Sequence, residues 1–265
     1  MSQFIPNDVE SGDFPLNNKI TKSKMKVITA PNASGKTLYL KQTALLVYMS
    51  MIGSYVAAES AYIGDFDRIF TRINSNDSVE HKMSTFAVDV CQITEAVIGS
   101  TEKSLVIIDE FGKGTDPNDA QALIAAIIDF WISEKQSPHV YLSTHYFEMF
   151  DFANFLFKEN NNKIEYLTFE YLIEESDTEK INAIFNSKFY SKQNLTFMYK
   201  LKNGKTNSSF SLNIARKYDL PQSIMEKACN LTKSIKAKLQ NDDLKLHEDF
   251  SNVLNISEHI KILKE

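Results

Sequence analysis

Apolar positions along this chain fall into short β-branched runs separated by longer helical stretches, and turn-forming residues punctuate them. Lys26-Val27-Ile28-Thr29 reads as a strand, followed by an apolar helix over Leu38–Ile52 that ends at Gly53, a natural C-cap. The apolar content all round that helix predicts burial against a sheet. Short strands are expected at Tyr55–Ala57, Ala61–Ile63 and Ile69–Ile73. Ser84-Thr85-Phe86 opens a helix over Ala87–Ile98, with Ser84 or Thr85 placed to cap it. Leu105-Val106-Ile107-Ile108 is a continuous apolar run, as expected of a strand buried on both faces. A turn-rich loop, Gly112–Asp119, leads to a helix over Ala120–Ser133 and then a strand at Val140–Ser143. This alternation predicts an α/β fold, with a parallel-core, doubly wound sheet flanked by helices and ligands outside the strand C-termini.

The ends of the chain have a different texture. Residues 1–24 read as an irregular polar lead-in broken by Pro6, Gly12 and Pro15, with Phe4-Ile5 as two large apolar side chains inside it. From Lys158 onward, Ile164–Ile173 and Leu195–Leu201 alternate as antiparallel strands do. The polar stretch Glu174–Gln193 between them is either a long hairpin insertion or carries a short helix over Glu179–Phe185. Two helices, Ser208–Arg216 and Pro221–Lys238, joined by Lys217–Leu220, form a helix-turn-helix-like appendage. Its recognition face lacks an Arg cluster, so it reads as an interaction element rather than a DNA reader. The last 25 residues read as a loosely attached tail.

Composition narrows the function classes. A formal net charge of −5 and a pI near 5.6 exclude an intrinsically basic nucleic-acid module. The two cysteines, Cys91 and Cys229, have no CxxC or His partners nearby and are expected to be reduced and mostly buried. No signal peptide and no apolar run of about 18 residues is visible, so the expectation is a soluble intracellular protein with no membrane contact.

The chemistry gathers around Val27–Thr37, reading VITAPNASGKT. A strand, then Ala30-Pro31-Asn32-Ala33-Ser34-Gly35-Lys36-Thr37, then a helix is the setting of a phosphate-binding P-loop. Backbone N–H groups of such a loop form an anion nest, and the helix N-terminus adds its positive dipole end. Lys36 would reach the β- and γ-phosphates of ATP, and the Thr37 hydroxyl would ligate Mg²⁺. Ala30 stands where the commonest form has Gly, which is accepted if the position does not need positive φ. Asp109-Glu110, at the end of the apolar strand, is a Walker B arrangement. Asp109 would hold Mg²⁺, directly or through water, and Glu110 would orient and deprotonate the attacking water. His145, just past a strand end, would contact the γ-phosphate. Gly112-Lys113-Gly114-Thr115 either presents backbone N–H groups or makes a tight turn.

Several segments taken together carry a resemblance. FIPND (4–8), TAPNASGKTLYLKQ (29–42), IFTRI (69–73), STF (84–86), LVIIDEFGKGT (105–115) and STHYFE (143–148) resemble the MutS ATPase domain, in order along the chain. NSSFSLNIARKYDLP (207–221) resembles the helical element that closes that domain. Within the family, FIPND, IGDFDRIFTRI and DEFGKGT look most like the meiotic branch typified by MutS homologue five, whereas repair-branch members more often read GRGT.

The resemblance implies an ABC-like P-loop ATPase domain over residues 1–205, a helical dimerisation element over 206–240 and a tail over 241–265. It implies that Phe4 and Ile5 stack on adenine, that Asn32 contacts phosphate within the Pro31–Thr37 loop, and that Ser84 reaches the γ-phosphate of ATP on a partner subunit. Catalysis would rest on Glu110 and His145, and the metal on Thr37 and Asp109. Lys82, Gln121 and Ser211 depart from the commoner Gly at those positions. In the meiotic branch the implied partner is MutS homologue four, forming a heterodimeric clamp on Holliday junctions and related branched DNA, which promotes crossing over in the nucleus on meiotic chromosomes. The DNA-holding domains would lie upstream of these residues. Two rival expectations remain: a mismatch-repair MutS homologue, and a nucleotide-dependent heterodimerisation module with little turnover. A transporter-type ABC ATPase is disfavoured, because STF stands where an LSGGQ-like signature would be.

Overall fold

The computed structural model describes residues 4–14, 20–73, 84–134, 137–146, 161–174, 194–206, 210–218, 220–232 and 234–235. Two compact units are distinguished. The first comprises residues 1–172 and 196–210, and the second comprises 173–195 and 211–265.

The first unit holds strands β1 (Gly12–Phe14), β2 (Ile20–Lys22), β3 (Met25–Ile28), β4 (Arg68–Arg72), β5 (Ser104–Asp109) and β6 (His139–Ser143). Its helices are α1 (Lys36–Met51), α2 (Thr85–Gly99) and α3 (Pro117–Ser133). β7 (Ile164–Glu174) and β8 (Asn194–Asn203) complete a six-stranded sheet in the order β4-β5-β6-β3-β7-β8. β3 lies parallel to both β6 and β7, and β5 lies parallel to both β4 and β6. Of the two strands that alternate late in the sequence, β7 joins the parallel core directly beside β3, and β8 lies next to β7 at the sheet edge.

Alternate side chains of the central strands point to opposite faces. Met25, Val27, Val106, Ile108, Val140 and Leu142 pack with Ile93 of α2 and Ile124, Ile128, Trp131 and Ile132 of α3. Ile28, Leu105, Ile107, Tyr141, Leu167 and Phe169 pack with Tyr39, Leu40 and Val47 of α1. The sheet is thus covered on both faces, which is why the Leu105–Ile108 run is continuously apolar.

Local signals set most element ends. The Ser84 hydroxyl accepts from the Ala87 N–H at 3.2 Å and caps α2. Asp116 caps α3 by accepting from Asn118 N–H at 2.9 Å, with Pro117 in the first turn. That helix begins at Pro117, three residues before the expected Ala120, because the Asp-Pro pair is itself a start signal. Gly53, at φ 72°, closes α1 through its N–H to the Ser50 carbonyl at 3.0 Å.

Three expectations are corrected. No strand forms at Tyr55–Ala57 or Ala61–Ile63. Residues 54–67 run without a ladder, Tyr55 is 96% exposed, and the Ala58 N–H bonds only locally to the Val56 carbonyl. β propensity without a neighbouring strand does not make a strand. The polar lead-in contains β1 and β2, paired antiparallel with Gly12 opposite Lys22. α1 packs against the sheet as expected, through Tyr39, Leu40 and Val47. Leu38, Leu45, Tyr48 and Met51 are exposed, because the sheet lies on one side of the helix. Cys229 is buried as expected, but Cys91 is exposed, and both thiols are free.

Of the second unit, α4 (Ser211–Lys217) and a helix over residues 222–232 are described. The Glu174–Gln193 alternatives, Lys82 and the C-terminal tail lie outside the described residues, apart from Glu174 itself.

Candidate functional site

In the sheet order β5-β6-β3, three strand ends lie side by side, with Asp109 in register with Ser143 and Ser143 with Ile28. Each strand hands its chain to a loop on the same edge. The loop after β3 is anchored by Thr29 N–H to the Leu167 carbonyl at 2.9 Å, and by Thr144 N–H to the Ile28 carbonyl at 3.1 Å. It turns through Ala33 at φ 62° and Gly35 at φ 106°, then enters α1 at Lys36. Ala30 does not adopt positive φ, so the alanine there costs nothing in backbone strain.

Lys36 is buried, and its Nζ donates to the carbonyls of Ala30 at 2.8 Å and Pro31 at 3.2 Å. Burial lowers its pKa, a shift partly opposed by the nearby carboxylates of Glu110 and Asp109. Thr37 Oγ1 donates to Asp109 Oδ2 at 2.7 Å, and Ser143 Oγ donates to Asp109 Oδ1. Both carboxylate oxygens are therefore fixed in direction. Ser34 is 1% exposed, and its hydroxyl has no hydrogen-bond partner among the described residues. A buried hydroxyl without a partner is costly, and it marks a place where a further acceptor or donor fits.

Glu110 follows at φ 57°, in the left-handed region, with its N–H bonded to the Ser143 carbonyl at 3.1 Å. Its carboxylate contacts His145 Nε2 and Lys113 Nζ, and Lys36 Nζ lies 3.7 Å away. Burial pushes the Glu110 carboxyl up, but His145, Lys113 and Lys36 outweigh that and hold it down to about 2. His145 Nε2 also lies 3.4 Å from Lys36 Nζ. One ring nitrogen cannot donate to Glu110 and accept from Lys36 at once, and the shorter contact assigns its proton toward Glu110.

Lys36, Thr37, Asp109, Glu110 and His145 are thus brought together, with Pro31, Ser34 and Gly35 in the same loop and Asn32 and Ala33 exposed on it. Phe4 is 65% exposed and Ile5 half-buried. Their segment is held by Gln42 Nε2 to the Asn7 carbonyl at 3.0 Å and by Leu201 N–H to Asn7 Oδ1 at 2.7 Å. Ser84 stands exposed at the start of α2, where a Cβ on Gly114 would meet Thr85 Oγ1 at 2.8 Å. The 112–115 loop is therefore a tight turn against α2.

Sequence reasoning missed two supporting residues. Arg72, in β4, is buried and pairs with Asp89 of α2 while donating to the Asp109 carbonyl. The readable signals were an arginine inside an apolar strand and an aspartate inside VDV on a helix that faces the core. Lys113 was seen only as part of a turn.

A mixed α/β domain, with a strand–loop–helix cradle beside an acidic strand end, is the class these features define. The sequence model of MutS domain V matches residues 26–236. The chain belongs to the MutS family. It is 36% identical over 95% of its length to MutS protein homolog 5 of Caenorhabditis elegans, and 34% over 89% to MutS protein homolog 5 of Saccharomyces cerevisiae. It is also 30% identical over 99% of its length to the DNA mismatch repair protein MSH3 of Candida glabrata. It spans 17%, 26% and 24% of these relatives respectively. Among the described residues no helix is long and apolar enough to cross a membrane.

Proposed function

We propose that residues 26–145 form a P-loop ATPase site. The observation that carries the reading is the convergence of Lys36, Thr37, Asp109, Glu110 and His145 at the carboxyl edge of three adjacent strands. The residues fit a nucleoside triphosphate and one hard divalent cation. The Ser34 hydroxyl is buried and unpartnered, Lys36 is a buried cation facing loop carbonyls, and Thr37 and Asp109 offer oxygen donors of the kind Mg²⁺ takes. Among the described residues no cluster of three or more His, Cys, Asp or Glu could hold a metal, so phosphate and water would supply the remaining ligands. When bound, Mg²⁺ neutralises phosphate charge and polarises the phosphoryl oxygens.

Lys36 exchanges the Ala30 and Pro31 carbonyls for phosphate oxygens on binding. Thr37 and Asp109 hold the metal side of the cradle. Glu110 orients the attacking water, His145 sits between Glu110 and the phosphate, and Phe4 and Ile5 cover the adenine. Ser84 completes the site of a second subunit, packed through residues 206–240. The similarity to MutS protein homolog 5 in two organisms supports a role in meiotic crossing over, in the nucleus. There the chain would act with MutS homologue four on branched DNA.

A second reading is nucleotide-dependent heterodimerisation with little turnover. The observation that favours it is the grip of Lys113 and His145 on Glu110, which holds the carboxyl near 2 and makes it a weak base. Steady-state ATP hydrolysis against protein concentration, with Glu110→Ala as blank and nucleotide binding followed in parallel, decides. Specific activity that climbs with concentration and vanishes in the blank supports the ATPase reading. Tight binding with flat, negligible turnover supports the second. Absence of Mg·ATP binding overturns both.

A further inference from the structure

Glu110 adopts a backbone conformation that non-glycine residues rarely hold, so something must impose it. Two anchors flank it. On one side Arg72 Nη1 donates to the Asp109 carbonyl at 2.6 Å, the peptide oxygen immediately before Glu110. On the other, the Gly112 N–H points at Asp89 Oδ2 at 3.4 Å, two residues after Glu110. The anchors are themselves joined, since Arg72 Nε donates to Asp89 Oδ1 at 2.8 Å and Nη2 to Oδ2 at 2.6 Å. Both side chains are buried, Arg72 at 5% and Asp89 at 7% exposure. A buried ion pair is a poor way to add stability compared with apolar side chains of the same size, so its presence here calls for a placement role. The planar guanidinium makes its fork on Asp89 and reaches the Asp109 carbonyl with its remaining nitrogen, so one side chain ties both groups.

We propose that Arg72 is a positioning residue: paired with Asp89, it clamps the backbone on both sides of Glu110 and so sets where that carboxylate points. The proposal rests on the ATPase reading for its catalytic consequence, but the clamp itself concerns only this chain. Asp89 lies five residues beyond the Ser84 cap, so the clamp also joins the helix that Ser84 caps to the turn that carries Glu110.

The test is a double-mutant cycle between Arg72→Lys and Glu110→Gln, which are not in contact with one another. Lysine keeps a cation opposite Asp89 but cannot form the fork and reach the Asp109 carbonyl together. The readout is the denaturant midpoint at neutral pH. The shift that Glu110→Gln produces in the parent should be at least halved in the Arg72→Lys background. Additive shifts would show that Arg72 merely adds stability, and would overturn the clamp. Asp89→Asn, a neutral isostere, runs the same cycle if Arg72→Lys does not fold.

The second readout separates binding from turnover. Arg72→Lys should lower ATP hydrolysis by about 10- to 100-fold while leaving the nucleotide Kd within about 3-fold. Equal losses in both would count against positioning. A parent chain that hydrolyses ATP no faster than Glu110→Ala would refute the hydrolysis reading alone, and the stability cycle would still decide the clamp.

Discussion

Thr37 Oγ1 donates to Asp109 Oδ2 at 2.7 Å, joining the first turn of α1 to the carboxyl end of β5. Thr37 enters from the loop after β3 and Asp109 from a strand two places away, so the bond aligns two oxygens that have no sequence proximity. Thr37→Val keeps the shape and removes one oxygen. Its ATP affinity measured in Mg²⁺ should fall by at least about 10-fold, with affinity in EDTA changed by less than about 2-fold. Isothermal titration with and without the metal checks this. An unchanged Mg²⁺ effect would remove Thr37 from the proposed metal site.

Glu110 predicts a pH dependence with a definite sign. Its folded pKa is depressed from 4.5 to about 2. Its contribution to stability is therefore complete above the unfolded value and is lost as pH falls through the folded one. At neutral pH the parent should exceed Glu110→Gln by about 1–3 kcal/mol, with the difference shrinking between about pH 5 and pH 2. Urea midpoints across that range read the difference directly. A constant gap would mean that the carboxylate is not held by His145, Lys113 and Lys36.

What was legible in the sequence was what local chemistry decides. The Leu105–Ile108 run, the Ser84 cap and the loop into Lys36 all carry their structural reason within a few residues. So does the α/β alternation, because strands covered on both faces must be apolar throughout. The Arg72–Asp89 pair was not legible as a pair, since 17 residues separate the partners and only the sheet brings them together. Tyr55 and Tyr62 misled for the converse reason: their types favour strands, but no ladder receives them. The apolar α1 does pack on the sheet as its sequence suggested, through its Tyr39, Leu40 and Val47 side. The loop motif, the acidic strand end and the strand-end histidine marked Lys36, Thr37, Asp109, Glu110 and His145 as candidates, and the strand order gives the physical reason they meet.

The thiols separate by exposure. Cys91 lies on the open side of α2 and Cys229 is buried in the second unit. A chromogenic disulfide reagent should label one thiol per chain quickly under native conditions and the second only slowly or on unfolding. Cys91→Ser should abolish the fast phase and leave stability within about 0.5 kcal/mol. Two fast thiols would contradict the burial of Cys229.

Two glycines give a matched test of the turn behind the candidate site. Gly53 and Gly112 both have positive φ, 72° and 86°, so an added Cβ strains the backbone at each. Their surroundings differ. A Cβ on Gly53 meets nothing within 4 Å, whereas one on Gly112 would lie 2.5 Å from the Ala120 Cβ. That second contact is too short to survive, and Ala120 is fully buried in the first turns of α3, so the helix start or the Glu110–Gly114 turn must move. Gly53→Ala should cost about 1 kcal/mol, the strain alone. Gly112→Ala should cost about 2–4 kcal/mol, strain plus overpacking. Because the displaced turn carries Glu110, only Gly112→Ala should also narrow the pH-dependent stability difference described for Glu110→Gln. Equal costs for the two substitutions would mean that the 112–115 turn yields freely, and that the site beside it is not rigidly placed.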